Sequence, residues 1–124
     1  MIDHVSIGVK DLARAGRFYD AVLAPLRYAC QHAGDTMRGY GDERRTAFWL
    51  NLAKRPVPPD MESGLHICFS APDRAGVDAF HAAALANGGK DNGPPGLRPD
   101  YSAGYYAAFV IDPDGYRIEA YVEV

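Results

Sequence analysis

Cysteine is scarce in this chain: its 124 residues hold two, Cys30 and Cys68, too few for the disulfide framework that staples small secreted domains. The implied setting is reducing and cytoplasmic. An excess of positive charge is also lacking. Lys and Arg number 13 against 16 Asp and Glu, a formal net charge of −3. With the basic residues scattered, no footprint for a phosphate backbone exists, which argues against nucleic acid as a partner. No apolar run approaches the roughly 18 residues that cross a bilayer; one of the longest is Tyr105 to Ile111. The opening Ile2-Asp3-His4-Val5 reads as strand rather than as a basic stretch before an apolar one, so no signal peptide is expected. There is no G-x-S-x-G elbow, no Gly-rich phosphate loop and no Cys-x-x-Cys pair. What is present is 48% apolar residues, enough at this length to bury roughly two thirds of the unfolded surface. The expectation is one soluble globular domain over residues 1–124 with a small-molecule partner.

The chain repeats itself. His4-Val5-Ser6-Ile7-Gly8-Val9-Lys10-Asp11 aligns with His66-Ile67-Cys68-Phe69-Ser70-Ala71-Pro72-Asp73 at an offset of 62, half the chain, and the register holds through Phe18 with Phe80 and Leu23 with Leu85. Each copy opens with an alternating strand: Val5, Ile7 and Val9 face one way and His4, Ser6 and Gly8 the other; Ile67 and Phe69 oppose His66, Cys68 and Ser70. Asp11 and Asp73 stand where a helix N-cap belongs. Helices follow, ended by Pro25 and by Gly88-Gly89. Strands are then expected over Tyr28–His32, Met37–Gly41 and Thr46–Leu52 in the first half. In the second half, a weak element near Lys90 precedes a turn-rich stretch from Asp91 to Ser102, followed by strands Tyr105–Ile111 and Tyr116–Val122. Asp112-Pro113-Asp114-Gly115 suits a tight turn between the last two. The proline-rich segment 54–64 joins module one, about 1–55, to module two, about 64–124. The fold class is α+β: two tandem βαβββ modules forming a curved, half-open mixed sheet around a cleft.

On the last strand Glu119 shares the polar face with Arg117 and Tyr121. If a local two-fold axis relates the modules, His4 and His66 approach each other across it on polar faces. With Glu119 they have the composition of a two-histidine, one-carboxylate metal site with open positions. The alternative is that the histidines cap sheet edges and Glu119 pairs with Arg117 or another surface base. Cys68, on the same face, reads as a small filler before it reads as a soft ligand. Around the site, Trp49, Arg98, Tyr101 and Tyr105 are the candidate substrate-binding residues. Arg98 suits a carboxylate or phosphate, and a long loop in a compact domain is more often functional than idle.

The duplicated module, Asp3-His4-Val5, Leu65-His66-Ile67 and the closing Ala108-Phe109-Val110-Ile111-Asp112-Pro113-Asp114-Gly115-Tyr116-Arg117-Ile118-Glu119 resemble the vicinal oxygen chelate superfamily over the whole chain. That group includes glyoxalase I, fosfomycin-resistance and bleomycin-binding proteins, and extradiol dioxygenases. The resemblance implies a divalent ion held by His4, His66 and Glu119, with Zn, Mn, Ni and Fe all open, and a homodimer in which each chain builds half of a shared cleft. It implies glyoxalase-like lyase or isomerase chemistry on a small oxygen-chelating substrate, with Glu119 catalytic. The alternative is a non-catalytic, drug-sequestering protein of bleomycin-resistance type, and below it an extradiol dioxygenase, whose usual chain carries four modules. One departure stands out. Glyoxalase I adds a fourth, glutamate ligand late in its first module, whereas this strand reads Ala47-Phe48-Trp49-Leu50-Asn51-Leu52, with Leu50 or Asn51 at that position. A proton shuttle between two glutamates then lacks one partner.

Overall fold

The computed structural model describes all of residues 1–124. In chain order the elements are β1 (Val5–Val9), α1 (Leu12–Leu23), β2 (Ala29–Ala33), β3 (Met37–Gly41), β4 (Thr46–Leu52), β5 (His66–Ser70), α2 (Arg74–Ala86), β6 (Lys90–Leu97), β7 (Tyr105–Ile111) and β8 (Arg117–Glu123), with short 3₁₀ turns at Ala24–Leu26 and Met61–Ser63. Two four-stranded mixed sheets result, ordered β1-β4-β3-β2 and β5-β8-β7-β6, so the βαβββ module is built twice. Each opening strand pairs in parallel with the last strand of its module, Ser6 beside Trp49 and Cys68 beside Glu119. No helix is long and apolar enough to cross a membrane.

Local chemistry explains the elements. Asp11 accepts the Arg14 amide at 3.0 Å and Asp73 the Gly76 amide at 2.7 Å, capping both helices as their sequence positions predict. The β7–β8 hairpin turns at Asp112–Gly115, where Gly115 adopts φ 98° and donates its amide to the Asp112 carbonyl. The expected loop from Asp91 to Ser102 is instead largely strand. Lys90 to Leu97 pairs antiparallel with β7 through register shifts at Asp91/Gly93 and Gly93/Gly96. Because β6 is an edge strand, Pro94 and Pro95 cost no ladder bond on its free side.

The sheets bury one face against the helices. Phe18, Tyr19, Val22 and Leu23 of α1 and Val77, Phe80 and Ala84 of α2 pack into one core with Ile7, Val9, Leu50, Val110, Ile118 and Ala120. Phe48 of module one meets Phe69 of module two edge-on at 5.1 Å. Polar ties cross the same boundary: the Tyr28 hydroxyl donates to the Ser70 carbonyl at 3.1 Å, the Tyr116 hydroxyl to the Gly8 carbonyl, and the buried Tyr19 hydroxyl to Asp112 Oδ2 at 2.6 Å. The opposite sheet faces stay open, and the candidate residues stand on them.

Candidate functional site

Alternation along β8 sends Ile118 and Ala120 into the core and Glu119 to the open face. Glu119 is nonetheless only 4% exposed, because neighbouring side chains cover it. His66 Nε2 donates to Oε2 at 2.8 Å and the Tyr105 hydroxyl to Oε1 at 2.6 Å. Charge-assisted bonds of this kind are the strong ones, and they hold a carboxylate that would otherwise be costly to bury. The His66 side chain remains 40% exposed and leans on the Phe109 ring at 5.9 Å. Tyr105 stacks on Tyr121 at 4.1 Å and meets Tyr101 edge-on at 5.0 Å. Burial, then the Glu119 carboxylate, raise the Tyr105 hydroxyl far above the ordinary phenol range. The same two causes push the Cys68 thiol up to about 12, so Cys68 carries its proton at neutral pH and is no thiolate nucleophile.

His4 lies elsewhere. Its side chain is 55% exposed, and Nδ1 donates to Asp3 at 2.9 Å; that bond is the main cause holding the Asp3 carboxyl below its usual range. Nε2 is thereby left as the free nitrogen, the arrangement in which a second carboxylate orients a ligating imidazole. A cleft of about 530 Å³, lined by Asp3, His4 and Val5 with Cys68 and Ser70, sets the start of β1 beside the end of β5. At the other end Tyr116, next to the lateral partner of His66, reaches Gly8. The two strands therefore pass in opposite directions, so His4 lies beside the end of β5 far from His66. One chain brings His66 and Glu119 together and does not bring His4 to them; it gathers no group of three or more His, Cys, Asp or Glu side chains able to hold a metal.

Among the other candidates, Arg98 stands over Phe109, with its guanidinium carbon 5.4 Å from the ring centroid. Trp49 is on the open face of module one, beside His32 at 5.6 Å. Its register partner Ser6 is repeat-related to Cys68, so the counterpart of Glu119 is Trp49. Leu50, expected as one alternative for that position, is fully buried in the core and Asn51 lies one residue beyond. The position still lacks an acid. Tyr121 stands on the face of Glu119 as the alternation of the last strand predicts, whereas Phe109 escaped notice in the sequence, although the same alternation from Tyr105 along β7 places it there.

Comparison with known proteins matches this geometry to a family. The model of the Glyoxalase/Bleomycin resistance protein/Dioxygenase superfamily matches residues 1–120. The crystal structure of a glyoxalase/bleomycin resistance protein from Albidiferax ferrireducens T118 is 34% identical, with 98% of this chain and 97% of that one covered at a TM-score of 0.84. The chain belongs to this superfamily. A superfamily domain from Frankia sp. EAN1pec, 20% identical, shares the fold at a TM-score of 0.72 over 100% of this chain and 98% of that one. A glyoxalase I mutant from Zea mays, 22% identical, does so at 0.66 over 95% of this chain but 45% of its own. No curated protein matches. In module two of this member Glu119, His66 and Tyr105 form one hydrogen-bonded set.

Proposed function

We propose that this superfamily member is a divalent-metal-dependent enzyme of glyoxalase type, a lyase or isomerase acting on a small oxygen-chelating substrate. His66 and Glu119 of one chain would hold the ion with His4 of a second copy. The observation that carries this reading is the His66–Glu119 pair, an imidazole nitrogen 2.8 Å from a buried carboxylate oxygen on an open sheet face. Two donors so placed are two of the three in a two-histidine, one-carboxylate set. The missing donor has a candidate in the exposed, Asp3-oriented imidazole of His4, which its own chain holds away from the pair. A two-fold pairing that lays module one of one copy over module two of the other would complete two equivalent sites.

A bound divalent cation would supply Lewis-acid stabilisation of developing negative charge on substrate oxygens. The chain's own groups do the rest. Tyr105 donates to Glu119 Oε1 and His66 to Oε2, so Oε2 is the oxygen that can take up a proton once His66 turns Nε2 to the ion. Since Trp49 replaces the repeat-related acid, a proton taken from substrate is held and returned at Oε2 alone, without a second glutamate to relay it. Tyr101 and Trp49 offer aromatic surface for the substrate body. A second reading, sequestration of an apolar compound without turnover, draws support from the cleft of about 530 Å³ floored by Phe48, Ile67 and Phe69.

Elemental analysis of protein purified without a metal-affinity tag, followed by Mn²⁺ titration, separates the two. The enzyme reading expects near-stoichiometric metal that His66→Ala abolishes. Wild-type protein that stays empty after incubation with Zn²⁺, Mn²⁺, Ni²⁺ and Fe²⁺ overturns it in favour of sequestration.

A further inference from the structure

Arg14, Arg38, Arg44 and Arg45 each pair with an aspartate. Arg98 is half-buried and has no acid within ion-pair distance; the one hydrogen bond of its guanidinium runs from Nη2 to the Pro94 carbonyl. We infer that Arg98 anchors a carboxylate, so that the substrate of this face is an organic monoacid whose body lies across Phe109 towards the His66–Glu119 pair. The second half of that statement rests on the metal reading above; the carboxylate anchor does not.

The position is built rather than incidental. A Cβ at Gly93 would stand 3.3 Å from Arg98 Nη2 and 3.1 Å from the Phe109 ring, and one at Gly96 would stand 3.1 Å from Nη1. Two glycines of the bulged strand β6 thus leave the space the guanidinium fills. Phe109 beneath it is the direct cross-strand partner of Glu119 and touches His66. One aromatic ring therefore separates a fixed positive charge from the imidazole–carboxylate pair. With Nη2 spending one hydrogen on Pro94, donors remain on Nη1, Nη2 and Nε, which suit the two oxygens of a carboxylate. The single guanidinium over the Phe109 ring balances a monoanion better than a doubly charged phosphoryl group. Cation–π contact with Phe109 fixes its plane before any ligand arrives.

The test is a titration of the metal-free full chain with benzoate and with its neutral isostere benzamide at fixed ionic strength, followed by amide chemical shifts. Arg98→Gln and Arg98→Lys are run alongside, and Mn²⁺ binding is measured on each protein. Benzoate is expected to shift resonances of β6 and β7 and to bind at least about tenfold more weakly to Arg98→Gln, with Arg98→Lys between. Benzamide is expected to lose a similar factor on the wild type, and Mn²⁺ affinity to be the same in Arg98→Gln as in wild type. Benzoate binding that Arg98→Gln leaves intact, shifts confined to the cleft beside Arg44 and Arg45, or no binding overturns the anchor. Inorganic phosphate binding more tightly than benzoate through Arg98 overturns the carboxylate assignment. A wild-type protein that binds benzoate through Arg98 and fails to bind Mn²⁺ when titrated with it breaks the metal reading and keeps the anchor, and one that binds Mn²⁺ but no benzoate does the reverse.

Discussion

In module two the last strand sets Glu119 beside Cys68; in module one the repeat-related pair is Trp49 beside Ser6. The frame is the same, and the chemistry has been kept on one side only. His66 is bonded to the carboxylate across its sheet, whereas His4, with an indole where its carboxylate would be, turns to Asp3 one residue away. A second contrast concerns the turns before the last strands. Asp42 and Asp112 each accept two backbone amides at Oδ1, from Arg44 and Arg45 in one case and from Asp114 and Tyr116 in the other. Asp42 is only half-buried, and its amide bonds, led by that of Arg44, hold its carboxyl below the usual range. Asp112 is buried against Tyr19, and desolvation pushes it up to about 6 despite the same kind of bonds. Environment, not motif, decides the sign.

The comparison of open faces breaks most sharply at its carboxylate. Glu119→Gln is expected to weaken Mn²⁺ binding at least about 100-fold, because it removes a ligand rather than a supporting group. Trp49→Gln should leave it within about threefold. Equal losses in the two variants, read by titration calorimetry, would erase the distinction between the modules.

For the turns, linkage gives a direction. The folded pKa of Asp112, about 6, lies above the ordinary 3.8, so its contribution to stability is fully present below pH 3.8 and is lost as pH rises to about 6. A shift of that size corresponds to ~3 kcal/mol. Asp112→Asn keeps an oxygen for the two amides and removes the titration. Urea unfolding from pH 4 to 7 should therefore show the variant gaining on wild type across that window and constant beyond it; a pH-independent difference would deny the buried charge. Smaller again is Tyr105→Phe, expected to lower Mn²⁺ affinity by about tenfold through loss of the bond that holds Oε1. Smallest is Asp42→Asn, whose exposed turn should shift stability by less than about 0.5 kcal/mol.

Much of this was legible in the sequence. The repeat, the period-two strands, the Asp11 and Asp73 caps and the Gly115 turn are local signals, and each local choice agrees with the fold. Glu119 and Tyr105 could be placed on one face for the same reason. The strand through Pro94 and Pro95 was hidden because those residues read as loop until an edge position makes them harmless. The distance between His4 and His66 was hidden because repeat register does not reveal which way two strands pass each other. The counterpart of Glu119, expected at Leu50 or Asn51, is Trp49, because the lateral pairing of β1 with β4 sets it and no sequence spacing encodes that register.

The most direct test of a site shared between copies mixes His4→Ala with Glu119→Gln after each is shown to be folded and metal-free. A hybrid pair carries one site with both changes and one intact. Refolding the two together should therefore restore about a quarter of the wild-type Mn²⁺ sites. A mixture that stays as empty as its parts, or a His4→Ala protein that binds Mn²⁺ like wild type, would contradict the shared site.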